Sequence, residues 1–218
     1  MPLRKEELTI AQAVKQAGYV TGHFGKGHLN GVAGPGKVMP DSDPLAPQNC
    51  GFDESFSVSN YFETDWTFGR NGVPERASGD GSDVIVGEAL KFIGAAAGKQ
   101  RPFFAVIWFG SPHVPHQPLP EDLKAADESA YCGELIAVDR SLGTLRAGLG
   151  KLGFADNTML WFSSDNGGWL IPAGTVDIFP TIVDLLQLKV ERPVALDGIN
   201  LLPLIDGQMK ARPQPMGF

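Results

Sequence analysis

Cysteine, basic residues and long apolar runs are all scarce in this chain. Cys50 and Cys132 are its two cysteines, far apart and in unlike contexts, which excludes a cysteine metal motif and a disulfide framework. Lysine and arginine number 18 against 25 acidic residues, giving a net charge of −7 without a basic cluster, so nucleic-acid binding is set aside. No apolar run of 18 residues and no signal peptide is present, so we predict no membrane span.

What the chain does contain is enough apolar material for a core. Hydrophobic residues make up 43% of its 218 residues. We predict one core domain over 1–211 with a loop-rich excursion at 31–82, followed by a disordered tail at 212–218. Helical and strand patterns alternate: helices after Thr9, over 82–97, over 131–152 and from Pro180, and strands over 19–24, 56–60, 103–109 and 158–163. This order predicts a layered α/β/α fold with a mixed, largely parallel central sheet.

Two of these elements carry expectations about burial. The strand over 103–109 is apolar on both faces, which is typical of a central strand that is covered on both sides. The helix over 131–152 has an apolar stripe that we expect to face the core: Leu135, Val138, Leu142, Leu145, Leu149 and Leu152.

Polar residues follow three of the predicted strands, where ligands bind in open α/β sheets. Asp165 and Asn166 follow 158–163 and offer hard oxygen donors of the type that Ca²⁺ or Mg²⁺ takes; the alternative is an Asx-type turn. Lys26 and His28 follow 19–24 between glycines and could bind an anion; the alternative is a solvated lysine and a hydrogen-bonding loop histidine. His113 follows 103–109 in a turn that two prolines restrict. Their recurrence at one sheet edge makes these five residues candidates for one site.

Five segments occur in an order that a known family shares. They are Gly18-Tyr19 through Gly25-Lys26-Gly27-His28-Leu29, then Ser111-Pro112-His113, then Asp156-Asn157-Thr158 through Ser164-Asp165-Asn166-Gly167-Gly168, then Val176-Asp177-Ile178-Phe179-Pro180, and finally Asp197-Gly198 through Leu201-Leu202-Pro203-Leu204. Together they resemble the sulfatase family, of arylsulfatase type. The resemblance covers most of the chain and implies an alkaline-phosphatase-like fold that lacks its first strand.

The resemblance also implies a chemistry. The family hydrolyses sulfate esters with a formylglycine nucleophile, made from a Cys/Ser-x-Pro-x-Arg motif, and a divalent cation, usually Ca²⁺. Carried over by residue, it implies that Asp165 and Asn166 are metal ligands and that Lys26 and His28 hold the formylglycine and the sulfate. His113 would contact the sulfate or assist the leaving alcohol. The implied partner is a small-molecule or glycan sulfate ester. Family members are often exported, and neither location nor oligomeric state is indicated by the chain itself.

The chain departs from the family at several points. No Cys/Ser-x-Pro-x-Arg motif occurs, and the nearest approach, over 42–46, has alanine in place of the arginine. Gly27 and Asn30 stand where the family has tryptophan and glycine. The strand that carries two aspartate ligands would precede Met1, and the segment with a second sulfate-binding lysine is absent where Gly168 joins Trp169. We therefore expect this chain to be inactive and poorly stable alone.

Two other interpretations remain open. The chain could be a non-catalytic sulfatase remnant or a sulfated-glycan-binding module, although an acidic protein is a poor match for sulfated glycans. It could also be a related hydrolase of phosphate or phosphonate esters. A Cys/Ser-x-Pro-x-Arg motif in sequence upstream of Met1 would favour the sulfatase, and a threonine or serine nucleophile in another context would favour the third interpretation.

Overall fold

The computed structural model describes residues 3–4, 7–27, 29, 31–163, 175–190, 198–205, 208–209 and 213. The chain separates into two compact units, Met1–Thr158 and Met159–Phe218. The predicted tail at 212–218 falls outside the described residues except for residue 213. Among the described helices, none is both long and apolar enough to cross a bilayer.

The first unit is built on a mixed sheet of five strands. These are β1 (Val20–Lys26), β2 (Glu54–Val58), β3 (Thr67–Arg70), β4 (Val73–Arg76) and β5 (Phe103–Trp108), in the spatial order β4-β3-β2-β1-β5. β1 pairs in parallel with both β2 and β5, whereas β3 and β4 are antiparallel additions. The carboxyl ends of β2, β1 and β5 therefore meet at one edge of the sheet.

Four helices accompany the sheet in this unit. They are α1 (Ile10–Gln16), α2 (Gly81–Gly98), α3 (Pro120–Ala125) and α4 (Ala130–Lys151). Thr9 closes a capping box at the start of α1, and the Asp80 carboxylate caps α2 by accepting from the amides of Ser82 and Asp83. α2 buries its apolar face in a core shared with the sheet and with α4, whose largest members are Phe24, Phe56, Phe62, Phe68, Ile85, Phe92, Ile93, Leu145 and Leu149.

The second unit has two described helices, α5 (Ile178–Leu185) and α6 (Leu202–Ile205). Thr181, fully buried, connects them: its hydroxyl donates to the Asp177 carbonyl (2.6 Å) and accepts from the Leu201 amide (2.9 Å). The Asp177 carboxylate accepts from the Ile199 amide at 2.7 Å. These bonds fix the turn before α6 onto the start of α5, which begins two residues before the predicted start at Pro180.

Two predictions about strands are wrong, and one about burial is right only in part. Residues 158–163 form no strand, and Met159, Leu160 and Phe162 are 46%, 45% and 63% exposed, because no described strand pairs with this segment. β5 is an edge strand with half-buried side chains rather than a central strand. On α4, Val138, Leu145 and Leu149 of the predicted stripe are buried, whereas Leu135 and Leu152 are exposed, because the buried face also runs over the small residues Gly133, Ala137 and Ser141.

Candidate functional site

Lys26 and His113 occupy the carboxyl ends of two neighbouring parallel strands. Lys26 is the last residue of β1, and it pairs in register with Val58 at the end of β2. His113 lies in the turn that follows β5, five residues beyond Trp108, which pairs with Gly25. Because the strands are parallel, both side chains belong to the same edge of the sheet, as the sequence predicted.

Glycines flank Lys26 on both sides, and close approach of another backbone requires glycine at Gly25. Gly25 has φ +100°, and a Cβ atom on it would lie 2.1 Å from the Trp108 carbonyl oxygen, so only glycine fits there. Gly27 donates to the Val58 carbonyl at 2.7 Å. A Cβ atom on Gly27 would lie 2.9 Å from the terminal methyl of Met39, which is buried. Met39 therefore fills the space beside the position where the resemblance leads one to expect tryptophan.

His113 is held by two contacts. Its Nδ1 lies 2.6 Å from the Val114 carbonyl oxygen, and its ring stacks on that of Tyr61 with 4.2 Å between centroids and 10° between planes. The peptide bonds of Ser111-Pro112 and Val114-Pro115 are both cis. Tyr61 follows β2, the third parallel strand, so all three carboxyl ends contribute to this edge.

A buried carboxyl pair lies behind the turn that carries His113. Glu63 and Glu134 are 5% and 1% exposed and hydrogen-bond to each other. Burial, with the nearby Glu134 carboxylate and Asp80 as further causes, raises the pKa of Glu63 to about 8. Glu134 Oε1 also accepts from the Gln117 amide at 2.7 Å. Glu63 Oε1 and Glu134 Oε2 are buried and have no hydrogen-bond partner in the described part of the chain, so a proton kept on Glu63 lowers the cost of burying the two carboxyls side by side.

Three of the predicted site residues, His28, Asp165 and Asn166, lie outside the described residues. Within the described ranges no group of three or more His, Cys, Asp or Glu side chains could hold a metal ion. An ammonium, an imidazole and a phenol at this edge are anion-binding groups rather than the oxygen ligands that Ca²⁺ takes. A cation at this edge would therefore be held by Asp165 and Asn166, which lie outside the described residues.

The nearest approach to the nucleophile motif, at 42–46, lies at the opposite edge of the sheet. It lines a pocket of about 490 Å³ together with Thr9 and Cys50. Thr9 Oγ1 donates to the Cys50 carbonyl (2.6 Å), and Thr21 Oγ1 donates to the carbonyl of the next residue (2.8 Å). Thr21 lies near the start of β1, about 16 Å from Lys26 at roughly 3.3 Å per residue. Ser42 thus lines a pocket near the amino-terminal end of β1, whereas Lys26 lies at the carboxyl end of that strand.

A family model described as Sulfatase matches residues 2–177. The chain belongs to the sulfatase family. The resemblance seen in the sequence is thus confirmed, and the five-stranded mixed sheet with its flanking helices agrees with the predicted alkaline-phosphatase-like fold class.

Individual sulfatases are similar over almost the whole chain. An uncharacterized sulfatase of Escherichia coli, YdeN, is 24% identical over 272 aligned positions, which cover 95% of this chain and 48% of that protein. The N-acetylgalactosamine-6-sulfatase of Canis lupus familiaris is 25% identical, with 95% of this chain and 50% of that protein covered. This sulfatase chain spans about half the length of these curated relatives. Because 272 aligned positions exceed the 218 residues of the chain, the bacterial relative also carries segments without a counterpart here.

A solved structure shares the sulfatase fold. Ps i-CgsB, in complex with k-i-k-neocarrahexaose, superposes with a TM-score of 0.78 at 21% identity, over 95% of this chain and 59% of that one. At this identity the likeness concerns the fold. The sulfatase core in this chain therefore places its strands as a known relative does.

Sequence reasoning missed several polar residues of this sulfatase core. Tyr61 could have been found by the rule that found Lys26 and His113, because it also follows a parallel strand. Nothing in the sequence pairs Glu63 with Glu134, which is 71 residues away. His23 was also missed: it is 2% exposed in the middle of β1, its Nδ1 lies 2.6 Å from Ser57 Oγ, and burial lowers its pKa to about 4. His23 is a core residue and not part of the site.

Proposed function

We propose that the edge formed by β1 and β5 binds the sulfate group of a small-molecule or glycan sulfate ester, as part of a sulfate-ester hydrolase site. The observation that supports this is the placement of Lys26 at the end of β1 and of His113 in the turn after the neighbouring parallel strand β5, at the same edge of the sheet. A sulfate group is a compact tetrahedral anion, and it is stabilised by fixed cationic and N–H donors at the place where charge develops. Lys26 supplies an ammonium and His113 an imidazole N–H donor when protonated.

The remaining sulfatase assignments belong to the same proposal. His28 would hold the sulfate beside Lys26, and His113 would contact the sulfate or the leaving alcohol. Asp165 and Asn166 would be ligands of Ca²⁺ or another divalent cation, which supplies charge stabilisation to the sulfate oxygens when bound. Ca²⁺ takes about six to eight oxygen ligands, so two residues alone would hold it weakly.

We further propose that this 218-residue chain binds the anion without hydrolysing the ester. Its sequence contains no Cys/Ser-x-Pro-x-Arg motif from which a formylglycine is made. Ser42, in the nearest approach to that motif, belongs to the opposite edge of the sheet, near Thr9 and Cys50. A site that binds the sulfate but, among the described residues, has no formylglycine precursor beside it would recognise the ester and leave it intact.

The experiment is a titration of the purified chain with inorganic sulfate and with 4-nitrophenyl sulfate, followed by calorimetry and by release of nitrophenol. We expect Lys26→Met to weaken sulfate binding about tenfold or more, which corresponds to roughly 1.4 kcal/mol for a lost charged contact. Lys151→Met, at the end of α4, is the matched control and should bind as the parent does.

Three outcomes would count against this proposal. Equal sulfate affinity in the parent and Lys26→Met would remove Lys26 from the site. Sustained nitrophenol release by the parent chain would contradict the absence of turnover. Tighter binding of phenyl phosphate than of 4-nitrophenyl sulfate, with the same dependence on Lys26, would favour a phosphate or phosphonate ester hydrolase instead.

A further inference from the structure

The rings of Tyr61 and His113 are in direct contact at the proposed site. The two rings are nearly parallel and stacked at 4.2 Å. We propose that Tyr61 is a positioning residue that holds the His113 imidazole with Nε2 directed to the bound anion. The anion in this inference is the sulfate of the proposed function, so that part rests on the proposed function. The stacking of the two rings is observed independently of it.

Tyr61 can orient a neighbour because its own backbone is fixed. Its carbonyl accepts from the Gly36 amide at 2.8 Å. The next residue, Phe62, is 1% exposed and packs in the core against Phe68. The segment that begins at Tyr61 is thus anchored to the sheet core on one side and to the loop after β1 on the other.

The turn that carries His113 is attached to this same segment at its start. A Cβ atom on Gly110 would lie 2.5 Å from the Phe62 carbonyl oxygen and 3.0 Å from the Phe62 nitrogen, so the two backbones are in direct contact. Because glycine alone permits that approach, Gly110 sets the distance between Tyr61 and His113.

The far end of the turn is attached as well. Thr64 Oγ1 donates to the Gln117 carbonyl at 3.0 Å, and the Gln117 amide donates to Glu134 at 2.7 Å. Glu134 in turn shares a hydrogen bond with Glu63. Residues 61–64 therefore contact residues 110–117 at both ends and, through the stacked rings, in the middle.

These contacts determine which nitrogen of His113 is available. The Val114 carbonyl has only lone pairs to offer, so the Nδ1 atom 2.6 Å away must carry a hydrogen. Nε2 is then the nitrogen that can accept a proton from, or donate one to, a group in the site. Stacking on Tyr61 holds the plane of the ring, and within that plane the hydrogen bond to the Val114 carbonyl selects Nδ1.

His116, in the same turn, provides an internal comparison. Its Nε2 lies 3.3 Å from the Pro112 carbonyl, and its ring meets the edge of the half-exposed Tyr131 ring at 71°. Here the engaged nitrogen is the opposite one, and the tyrosine contact is edge-on. The described residues thus include two Tyr–His ring pairs, and of these two the stacked pair presents Nε2.

The test is nitrogen and proton NMR of the imidazoles in the parent chain, recorded at about pH 8 where exposed imidazoles are neutral. We expect His113 to be the Nδ1–H tautomer, with contacts between its ring protons and those of Tyr61 and an upfield ring-current shift. An Nε2–H tautomer, or no contact to Tyr61, would overturn the inference without any variant.

Three variants extend the test. Tyr61→Leu should abolish the ring-current shift and the Nδ1–H preference of His113, and Tyr61→Phe should restore both, because the ring rather than the hydroxyl makes the contact. Tyr131→Leu is the matched control and should change His116 but not His113. The resonances of the buried His23 report whether each variant is folded. An unchanged His113 in a folded Tyr61→Leu chain would contradict the inference.

Addition of inorganic sulfate at about pH 5.5, where an exposed imidazole is protonated and its Nε2–H can donate to the anion, separates this inference from the proposed function. If sulfate shifts His113 Nε2 in the parent and Tyr61→Phe but much less in Tyr61→Leu, both are supported. If the tautomer and stacking are as expected but sulfate shifts nothing, the proposed function fails while the ring arrangement stands. If sulfate shifts His113 equally in Tyr61→Leu, Tyr61 is not a positioning residue.

Discussion

Glu63 is the residue whose chemistry differs most from that of the same side chain in water. Its carboxyl is buried next to those of Glu134 and Asp80, and the removal of water together with like charge favours the protonated form. The pKa of Glu63 is therefore raised from its ordinary 4.5 to about 8. At neutral pH the folded chain keeps a proton here that the unfolded chain releases.

This proton predicts how stability depends on pH. Between about pH 4.5 and pH 8 the folded state binds more protons at Glu63 than the unfolded state, so its contribution to stability falls as the pH rises. Glu63→Gln cannot ionise and can still donate to Glu134. We expect the free energy of unfolding of Glu63→Gln, relative to the parent, to increase from pH 5 to pH 8.5, measured by urea denaturation.

The variant must be compared with the parent because His23 changes the free energy of unfolding with pH in the opposite direction. Burial lowers the pKa of His23 from 6.5 to about 4, so His23 removes stability as the pH falls between those values. This effect is common to the parent and Glu63→Gln, and it cancels in their difference. Glu54→Gln, at the exposed start of β2, is the matched control and should follow the parent at every pH. A difference between Glu63→Gln and the parent that stays constant with pH would refute the assignment.

At the scale of elements, Arg140 joins three helices. From α4 its guanidinium donates to Asp83 on α2 (2.8 and 3.0 Å) and to Asp122 on α3. Asp122 is 4% exposed, and its second oxygen has no partner in the part of the chain that the structure describes. Loss of the arginine would leave a buried carboxylate unpaired, which is more costly than the loss of a surface ion pair.

We therefore expect Arg140→Met to lower the free energy of unfolding by about 1–3 kcal/mol, since the arginine itself is part exposed and its attraction is partly screened by solvent. The measurement is urea denaturation at pH 7. Arg146→Met makes the same change at an exposed position of α4 and should remain within about 0.5 kcal/mol of the parent. Similar losses in the two variants would mean that Arg140 contributes helix packing alone.

Elements that depend on local signals were predictable from the sequence. The cap at Thr9 and the helix that follows it are as expected. The hairpin of β3 and β4 was not predicted, although its signal was present: Asn71-Gly72, both with positive φ, is the preferred two-residue hairpin turn. Contacts between residues far apart in the sequence left no such signal. For this reason β5 was expected at the centre of the sheet, and the contact between Glu63 and Glu134 was not predicted.

In the candidate site, too, features set by local sequence signals were predictable and features set by long-range contacts were not. Lys26 and His113 could be predicted because a polar residue that follows a parallel strand lies at the ligand-binding edge whatever the rest of the chain does. The orientation of His113 could not, because it depends on a ring stack between residues 52 positions apart and on Gly110 contacting Phe62.

At the scale of the whole molecule, the two outer strands of the sheet, β4 and β5, differ in how well they are protected against pairing with another strand. β4 is exposed and reads Val73-Pro74-Glu75-Arg76, with a proline and two charges that discourage further pairing. β5, at the other edge, reads Phe103-Phe104-Ala105-Val106-Ile107-Trp108 and carries no charge. Trp108 is 40% exposed, and among the described residues no strand pairs with the outer side of β5.

We expect the purified chain to self-associate through β5 as its concentration rises, because an uncharged apolar edge with unpaired backbone groups is a template for another strand. Val106→Lys places a charge on β5, on the same face as the part-exposed Trp108, and should shift the chain toward monomer in light scattering coupled to size exclusion. Val73→Lys on β4 is the matched control and should leave association unchanged, since that edge is already protected. If the parent stays monomeric at every concentration, or if the two lysine variants behave alike, the expectation that the chain self-associates through β5 is wrong.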